Sequence, residues 1–130
     1  MLFKYFNPVE DPKIVGIQDH TMLMLDSARD ISGVPYIITC GLRTADHNAE
    51  LKGAVCDSAH LTGEALDLVC EDDHTLFKML EGLIGGGFTR IGIYVKPDPN
   101  NLIKLTPVHL HVDCDTKKPP EVTWILIEQN

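Results

Sequence analysis

The stretch SAHLTGEALDLV, from Ser58 to Val69, decides the fold predicted for this sequence. Its second half, Ala65–Val69, is short and mostly apolar and predicts a buried strand, which the chain enters through a turn at Gly63. His60 precedes that turn and Asp67 lies on the strand, where neither side chain needs to be buried. An imidazole and a carboxylate are both ligands that Zn²⁺ accepts, so the stretch combines a strand with two candidate metal ligands.

A second stretch, HLHVD, runs from His109 to Asp113 near the end of the sequence. Residues two apart on a strand share a face, so His109, His111 and Asp113 are expected to project together. Val108, Leu110 and Val112 then pack on the opposite face. Taken alone, this pattern is more typical of an amphipathic strand with a solvated face than of a metal site. Together with His60 and Asp67, it favours a metal site with two imidazoles and one carboxylate.

The remaining pattern predicts a helix, a strand, a long polar loop, a second strand and a second helix, followed by further strands. The predicted helices are Asp11–Ile31, ending near Gly33, and a segment that begins after the acidic residues 71–73 and ends at the glycines 85–87. The predicted strands are Tyr36–Thr39, Ala65–Val69, Phe88–Val95, Val108–Asp113 and Val122–Ile127, with a helical turn at Thr44–Leu51 and a turn region at Lys96–Asn101. This order predicts an α+β fold in which helices flank a small, mainly antiparallel sheet.

Composition limits the classes of function. The chain has 130 residues, the length of one domain, and we expect residues 1–130 to form a single domain. A formal net charge of −8, with 11 basic residues, argues against a nucleic-acid partner. No apolar run is long enough for membrane insertion, and the N-terminus lacks the apolar stretch of a signal peptide. The expected location is therefore cytoplasmic as synthesised. Four cysteines without a CxxC pair are expected to be free thiols.

Ser58-Ala-His60-Leu-Thr-Gly63-Glu-Ala65-Leu-Asp67 resembles the S-x-H-x-x-G-x-A-x-D signature of the zinc D-Ala-D-Ala carboxypeptidase and L-Ala-D-Glu endopeptidase family. His109-Leu-His111 is similar to the H-x-H element of the related hedgehog and lysostaphin-like groups. The resemblance implies a hedgehog-like or D-Ala-D-Ala-peptidase-like fold. It also implies a Zn cofactor held by His60, Asp67 and His111.

Cys40-Gly41-Leu42-Arg43-Thr44 is similar to the S-G-x-R-[ST] segment of the same family, which continues to Asn48. The resemblance implies that Arg43 contacts substrate and steadies developing charge, that Ser58 lines the substrate site, and that His109 stands beside the metal as general base. The sequence departs from the family in one respect. The acidic base that many members carry before the last zinc histidine is replaced by Val108 or Leu105.

Three alternatives stay open around the metal. Asp113 could orient a histidine from outside the ligand set, Glu64 could reach the metal-bound water, and His109 could itself be a ligand. His20 and His74 lie on predicted helices and are assigned no role, and Trp124 is expected to anchor the core or an edge strand.

The resemblance implies hydrolysis of an amide bond in the peptidoglycan stem peptide, of either the D-Ala-D-Ala carboxypeptidase or the L-Ala-D-Glu endopeptidase type. The alternative is a catalytically inactive, zinc-containing module that binds the cell wall or forms part of a virion. The absence of a signal peptide and of wall-binding repeats favours a phage or prophage endolysin or a virion-associated enzyme. Such an enzyme would act on the cell wall with the help of a holin-type or virion partner.

Overall fold

The structure, a computed structural model, describes residues 2–42 and 58–128, apart from the side chain of Leu102. The described residues form two α-helices, α1 (Asp19–Ser32) and α2 (Asp73–Gly86). They also form five strands: β1 (Ile38–Cys40), β2 (Ala65–Val69), β3 (Arg90–Asp98), β4 (Asn101–Asp113) and β5 (Val122–Ile127). Neither helix of this part of the chain is long and apolar enough to cross a membrane.

The five strands form one sheet in the order β1-β2-β4-β3-β5. β1 with β2, β2 with β4 and β3 with β4 pair antiparallel, whereas β3 and β5 pair parallel. The prediction of an α+β fold with a mainly antiparallel sheet is confirmed. The bounds of β2 and β5 match the predicted segments, and β5 is an edge strand as expected.

The two faces of the sheet have different roles. One face packs against the helices, and its core includes Leu66, Leu68, Leu110 and Val112, all fully buried. The helices contribute Met22, Leu25, Met79 and Leu83 to the same cluster. Because side chains alternate along a strand, the residues between these apolar positions project from the other face. That second face carries the polar residues of HLHVD, as predicted.

The predicted long helix at Asp11–Ile31 is wrong in its first half. Residues Pro12–Ile14 form only a 3-10 turn, and α1 begins at Asp19. Gly16 has a φ of 85°, in the left-handed region, which interrupts the helix. A contact between distant parts of the chain explains the interruption. The Gln18 N–H donates to the carbonyl oxygen of Gly63 at 3.0 Å, so the segment before α1 follows the turn at Gly63 instead of continuing the helix. The predicted end near Gly33 is confirmed, since Gly33 caps α1 with a φ of 72°.

Several strand boundaries also differ from the prediction, among them the end of β1 at Cys40 rather than Thr39 and the start of β3 at Arg90 rather than Phe88. β1 begins at Ile38 rather than Tyr36, whose side chain is buried and donates its hydroxyl proton to the Met79 carbonyl at 3.0 Å. The predicted turn at Lys96–Asn101 is narrower, because β3 continues to Asp98 and β4 already begins at Asn101. Pro97 and Pro107 both lie at paired positions of the β3–β4 hairpin. The pairing therefore extends further than the proline and asparagine content of this segment predicted.

The contact between α1 and α2 depends on a small residue at Gly82. A Cβ atom at this position would lie 2.4 Å from the Ala28 carbonyl oxygen and 2.4 Å from the Tyr36 hydroxyl oxygen. At Gly85, by contrast, the only close approach is to the tip of the Ile31 side chain, at 2.9 Å. Ile31 is partly exposed and free to move.

We predict that Gly82→Ala lowers the free energy of unfolding, because overpacking costs about 1–3 kcal/mol and exceeds the gain in helix propensity of up to about 1 kcal/mol. The matched control Gly85→Ala, on the same helix, should leave stability unchanged or raise it. Urea unfolding of both variants measures the difference. Equal stability of the two would show that the helices do not approach as closely as described.

Candidate metal centre

A single row of paired residues crosses the face of the sheet that points away from the helices. Cys40 of β1 lies opposite Asp67 of β2, and Asp67 lies opposite His111 of β4. His111 in turn lies opposite Gly92 of β3, and Gly92 lies opposite Trp124 of β5. Directly paired residues project from the same face, so strand pairing alone places a thiol, a carboxylate, an imidazole and an indole in line.

Asp67 is the centre of this group. Its Oδ1 atom lies 3.2 Å from Nε2 of His60 and 3.2 Å from Nδ1 of His111. Burial alone would raise the pKa of Asp67, but hydrogen bonds and charge interactions with His111 and His60 outweigh burial and hold the pKa well below its usual range. The carboxylate is therefore ionised and in contact with two imidazoles.

Backbone hydrogen bonds fix the position of His60. It lies in a 3-10 turn, Ala59–Leu61, that Ser58 caps by accepting a hydrogen bond from the His60 N–H at 3.3 Å. Nδ1 of His60 lies 2.8 Å from the Gly41 carbonyl oxygen. Because a carbonyl can only accept, Nδ1 carries the proton and Nε2 faces Asp67. With the ring only 1% exposed, its orientation is fixed by packing and by this bond.

Gly63 and Ala65 of the signature have packing roles that the structure explains. Gly63 has a φ of 75°, and a Cβ atom there would lie 2.4 Å from the Gly16 carbonyl oxygen. Ala65 is fully buried beside its cross-strand partner Asp113. A glycine is required for the turn that connects His60 to β2, and a small residue is required at the start of that strand.

His111 is positioned by a second carboxylate. Its Nε2 lies 2.7 Å from Oδ2 of Asp113, which is itself 2% exposed. Burial lowers the pKa of His111, but the hydrogen bonds to Asp113 and Asp67 outweigh it and the net pKa is raised. Arg90 Nε lies 3.1 Å from the other oxygen of Asp113 and forms an ion pair with it. The structure thus agrees with the alternative in which Asp113 orients a histidine.

The donor atoms form a set that fits a zinc ion. Nε2 of His60 and Nδ1 of His111 point at one carboxylate oxygen, and the other nitrogen of each ring is engaged by a carbonyl or a carboxylate. Two imidazoles and one carboxylate, each imidazole supported by an outer partner, are typical of catalytic zinc centres. The assignment of His60, Asp67 and His111 as ligands stays a prediction that this geometry supports.

His109 lies on the same face, two residues along β4 from His111. Its ring stacks on Tyr94 at a centroid distance of 4.2 Å, and Nδ1 lies 3.5 Å from a carboxylate oxygen of Glu128. The cluster of His60, Asp67 and Cys40 donor atoms within 4.8 Å of one another includes neither His109 nor His111, and His111 differs from His109 in its 3.2 Å approach to Asp67 Oδ1. Its role as general base stays a prediction.

Other predicted site residues are placed differently. Ser58 is buried and its hydroxyl oxygen caps the turn that carries His60, so its substrate-binding role also stays a prediction. Glu64 accepts from the Thr62 hydroxyl at 2.6 Å and lies with His20 and Cys114 in a separate cluster. The catalytic and substrate-binding role of Arg43 and the predicted turn at Thr44–Leu51 lie outside the described residues.

Sequence reasoning missed two residues beside the centre. The thiol of Cys40, a ring nitrogen of His60 and a carboxylate oxygen of Asp67 all lie within 4.8 Å of one another. Trp124 lies over Gly92, where a Cβ atom would be 2.5 Å from the indole, and its ring centroid is 5.6 Å from that of His111. The strand pairing would have indicated both, but no pattern within one segment reveals which strands are neighbours.

Two imidazoles and one carboxylate are the donor set that mononuclear zinc centres of hydrolytic enzymes use. Comparison with known families is consistent with this class, since the sequence model described as Peptidase M15 matches residues 7–98. The chain belongs to the Peptidase M15 family. The match includes His60 and Asp67, whereas His109 and His111 lie beyond its end. No curated protein and no solved structure gives a significant match.

We predict that His111 in metal-free protein keeps its proton above pH 6.5, the ordinary value, and that Asp113→Asn lowers its pKa. The stabilisation from this pairing is fully present below about pH 6.5 and is lost as pH rises through the raised pKa. Long-range ¹H–¹⁵N spectra measured across a pH titration report the His111 pKa directly. Asp98→Asn, in the distant hairpin, is the control, and an Asp113→Asn protein that titrates like wild type would contradict the prediction.

Proposed function

We propose that this protein is a zinc-dependent peptidase that hydrolyses an amide bond in the stem peptide of bacterial peptidoglycan. The observation that carries the proposal is the position of Asp67 Oδ1, 3.2 Å from both His60 Nε2 and His111 Nδ1, in a chain of the Peptidase M15 family. Peptide hydrolysis at such a centre agrees with that membership. Peptidoglycan as the substrate rests on the resemblance of the Ser58–Asp67 signature to wall-cutting peptidases.

In this proposal the three residues His60, Asp67 and His111 hold the zinc ion. A zinc ion held there would act as a Lewis acid on the scissile carbonyl and would make water acidic enough to react near neutral pH. Asp113 keeps the His111 ring in the ligating orientation through the 2.7 Å bond to Nε2. His109 accepts the proton from the attacking water and delivers it to the leaving amine.

Two further residues supply the substrate contacts in this proposal, Arg43 and Trp124. Arg43 binds a carboxylate or the developing negative charge of the substrate, as an arginine does through its planar pair of donors. Trp124, next to His111, presents an apolar wall against which a short peptide side chain would pack. Both a D-Ala-D-Ala bond and an L-Ala-D-Glu bond would offer the carboxylate that Arg43 requires. Access to the wall would depend on a holin-type or virion partner.

A second candidate function is a zinc-containing wall-binding or virion module without catalysis. One observation favours it: Val108 and Leu105 occupy the positions of the usual acid, and His109 is already engaged by Tyr94 and Glu128. If this candidate is correct, the protein binds peptidoglycan and zinc without turnover.

We predict about one zinc per chain in wild type, loss of that zinc in His60→Ala, and full retention in the control His74→Ala, whose side chain is exposed on α2. Zinc-loaded wild type and His74→Ala should cut purified peptidoglycan, and His60→Ala should not. Elemental analysis gives the metal content, and mass spectrometry of the released peptides identifies the bond. Zinc binding without any new peptide terminus would support the binding module instead.

We further predict that His109→Ala lowers kcat by about 10²–10⁴-fold without lowering the zinc content, because the histidine transfers a proton and holds no metal. The control is Tyr94→Phe, which keeps a ring for the stack at 4.2 Å and should retain most activity. Loss of zinc in His109→Ala would instead identify His109 as a ligand. Unchanged kcat would remove it from the mechanism.

A further inference from the structure

Cys40 ends β1 directly opposite Asp67, at the end of the row that carries the candidate metal centre. Its Sγ atom, a ring nitrogen of His60 and a carboxylate oxygen of Asp67 lie within 4.8 Å of one another. The side chain is half-buried and the thiol is free. A third kind of donor, sulfur, is thus present beside the nitrogen and oxygen donors of the centre.

The backbone holds this thiol in place. The next residue, Gly41, is buried against the Lys13 carbonyl oxygen, which would lie 2.2 Å from an added Cβ atom. The Gly41 carbonyl accepts the hydrogen bond from His60 Nδ1 at 2.8 Å and lies 3.8 Å from Cys40 Sγ. One peptide unit therefore positions both His60 and Cys40, so the thiol and the imidazole cannot move far apart independently.

The chemistry of sulfur decides what such a thiol does near zinc. Thiolate is a strong zinc ligand, stronger and softer than a carboxylate, and a coordinated thiol loses its proton. Zinc centres with four protein ligands are closed, whereas catalytic centres keep a position open. A thiol within 4.8 Å of a ring nitrogen of His60 and a carboxylate oxygen of Asp67 would complete a closed tetrahedral set with these two residues and His111.

We propose that Cys40 is a fourth protein ligand of the zinc ion and restrains the peptidase in its resting state. This inference rests on the proposed function, because it assumes zinc at His60, Asp67 and His111. When the sulfur binds, the thiol proton passes to solvent, and no oxidant or reductant is involved. Hydrolysis then requires the sulfur to leave the ion so that water can enter.

The test uses cobalt in place of zinc, because a thiolate bound to Co²⁺ gives a near-ultraviolet charge-transfer band. We expect wild-type protein with one equivalent of Co²⁺ to show this band, Cys40→Ser to lose it, and Cys114→Ser to keep it. Cys114 is the matched control, since it is also half-buried and lies near His20 and Glu64. Zinc affinity of Cys40→Ser should fall by more than the roughly 10–100-fold that loss of an outer partner costs.

Peptidase activity per bound zinc should rise in Cys40→Ser, since the open position is then always available.

A second measurement needs no variant. One equivalent of zinc should protect Cys40 of wild type from iodoacetamide, as located by peptide mass spectrometry, and should leave labelling of Cys114 unchanged. Cys70 is an internal reference, because burial raises its pKa to about 11 and makes it slow to react.

The outcomes separate this inference from the proposed function. Bound cobalt without the band, a band that survives Cys40→Ser, or protection of Cys114 alone would overturn the role of Cys40 and leave the peptidase standing. A band that depends on Cys40, with no peptide cut by either wild type or Cys40→Ser, would support the ligand and overturn the peptidase. Failure to bind any metal would overturn both.

Discussion

The pairing of Asp67 with His111 across β2 and β4 is the constraint on which the rest of the site depends. Leu66 and Leu68 flank Asp67 and are fully buried on the opposite face. A shift of one residue in this register would turn both leucines to solvent and Asp67 into the core. The hydrophobic core therefore fixes the geometry of the candidate metal centre, because the same alternation that buries the leucines places the carboxylate against the imidazole.

Much of the fold was predictable because the decisive patterns are local. The alternation in Ala65–Val69 and in His109–Asp113 predicted both strands and their polar face, and the structure confirms them. The first helix was predicted too long, because apolar spacing continues through Gly16, whereas the real chain turns there to meet Gly63. That contact joins residues far apart in sequence, and no periodicity within one segment reports it.

The site was predictable only in part for the same reason. The signature predicts His60 and Asp67 as ligands and the H-x-H element predicts His111, but the approach of Cys40 to His60 and Asp67 arises from the pairing of β1 with β2. The bond from His111 to Asp113 was foreseen only as one of several alternatives. Which alternative holds depends on side-chain orientation, and burial beside Ala65 and Arg90 sets that orientation for Asp113.

The most direct test of the account is a crystal structure of the zinc-loaded protein with anomalous diffraction measured at the zinc absorption edge. The account predicts one strong anomalous peak bounded by His60, Asp67 and His111, with the Asp113 carboxylate still bonded to the His111 ring. A peak only at the other cluster of potential ligands, His20, Glu64 and Cys114, would contradict it. So would a well-ordered sheet face without any zinc between β2 and β4.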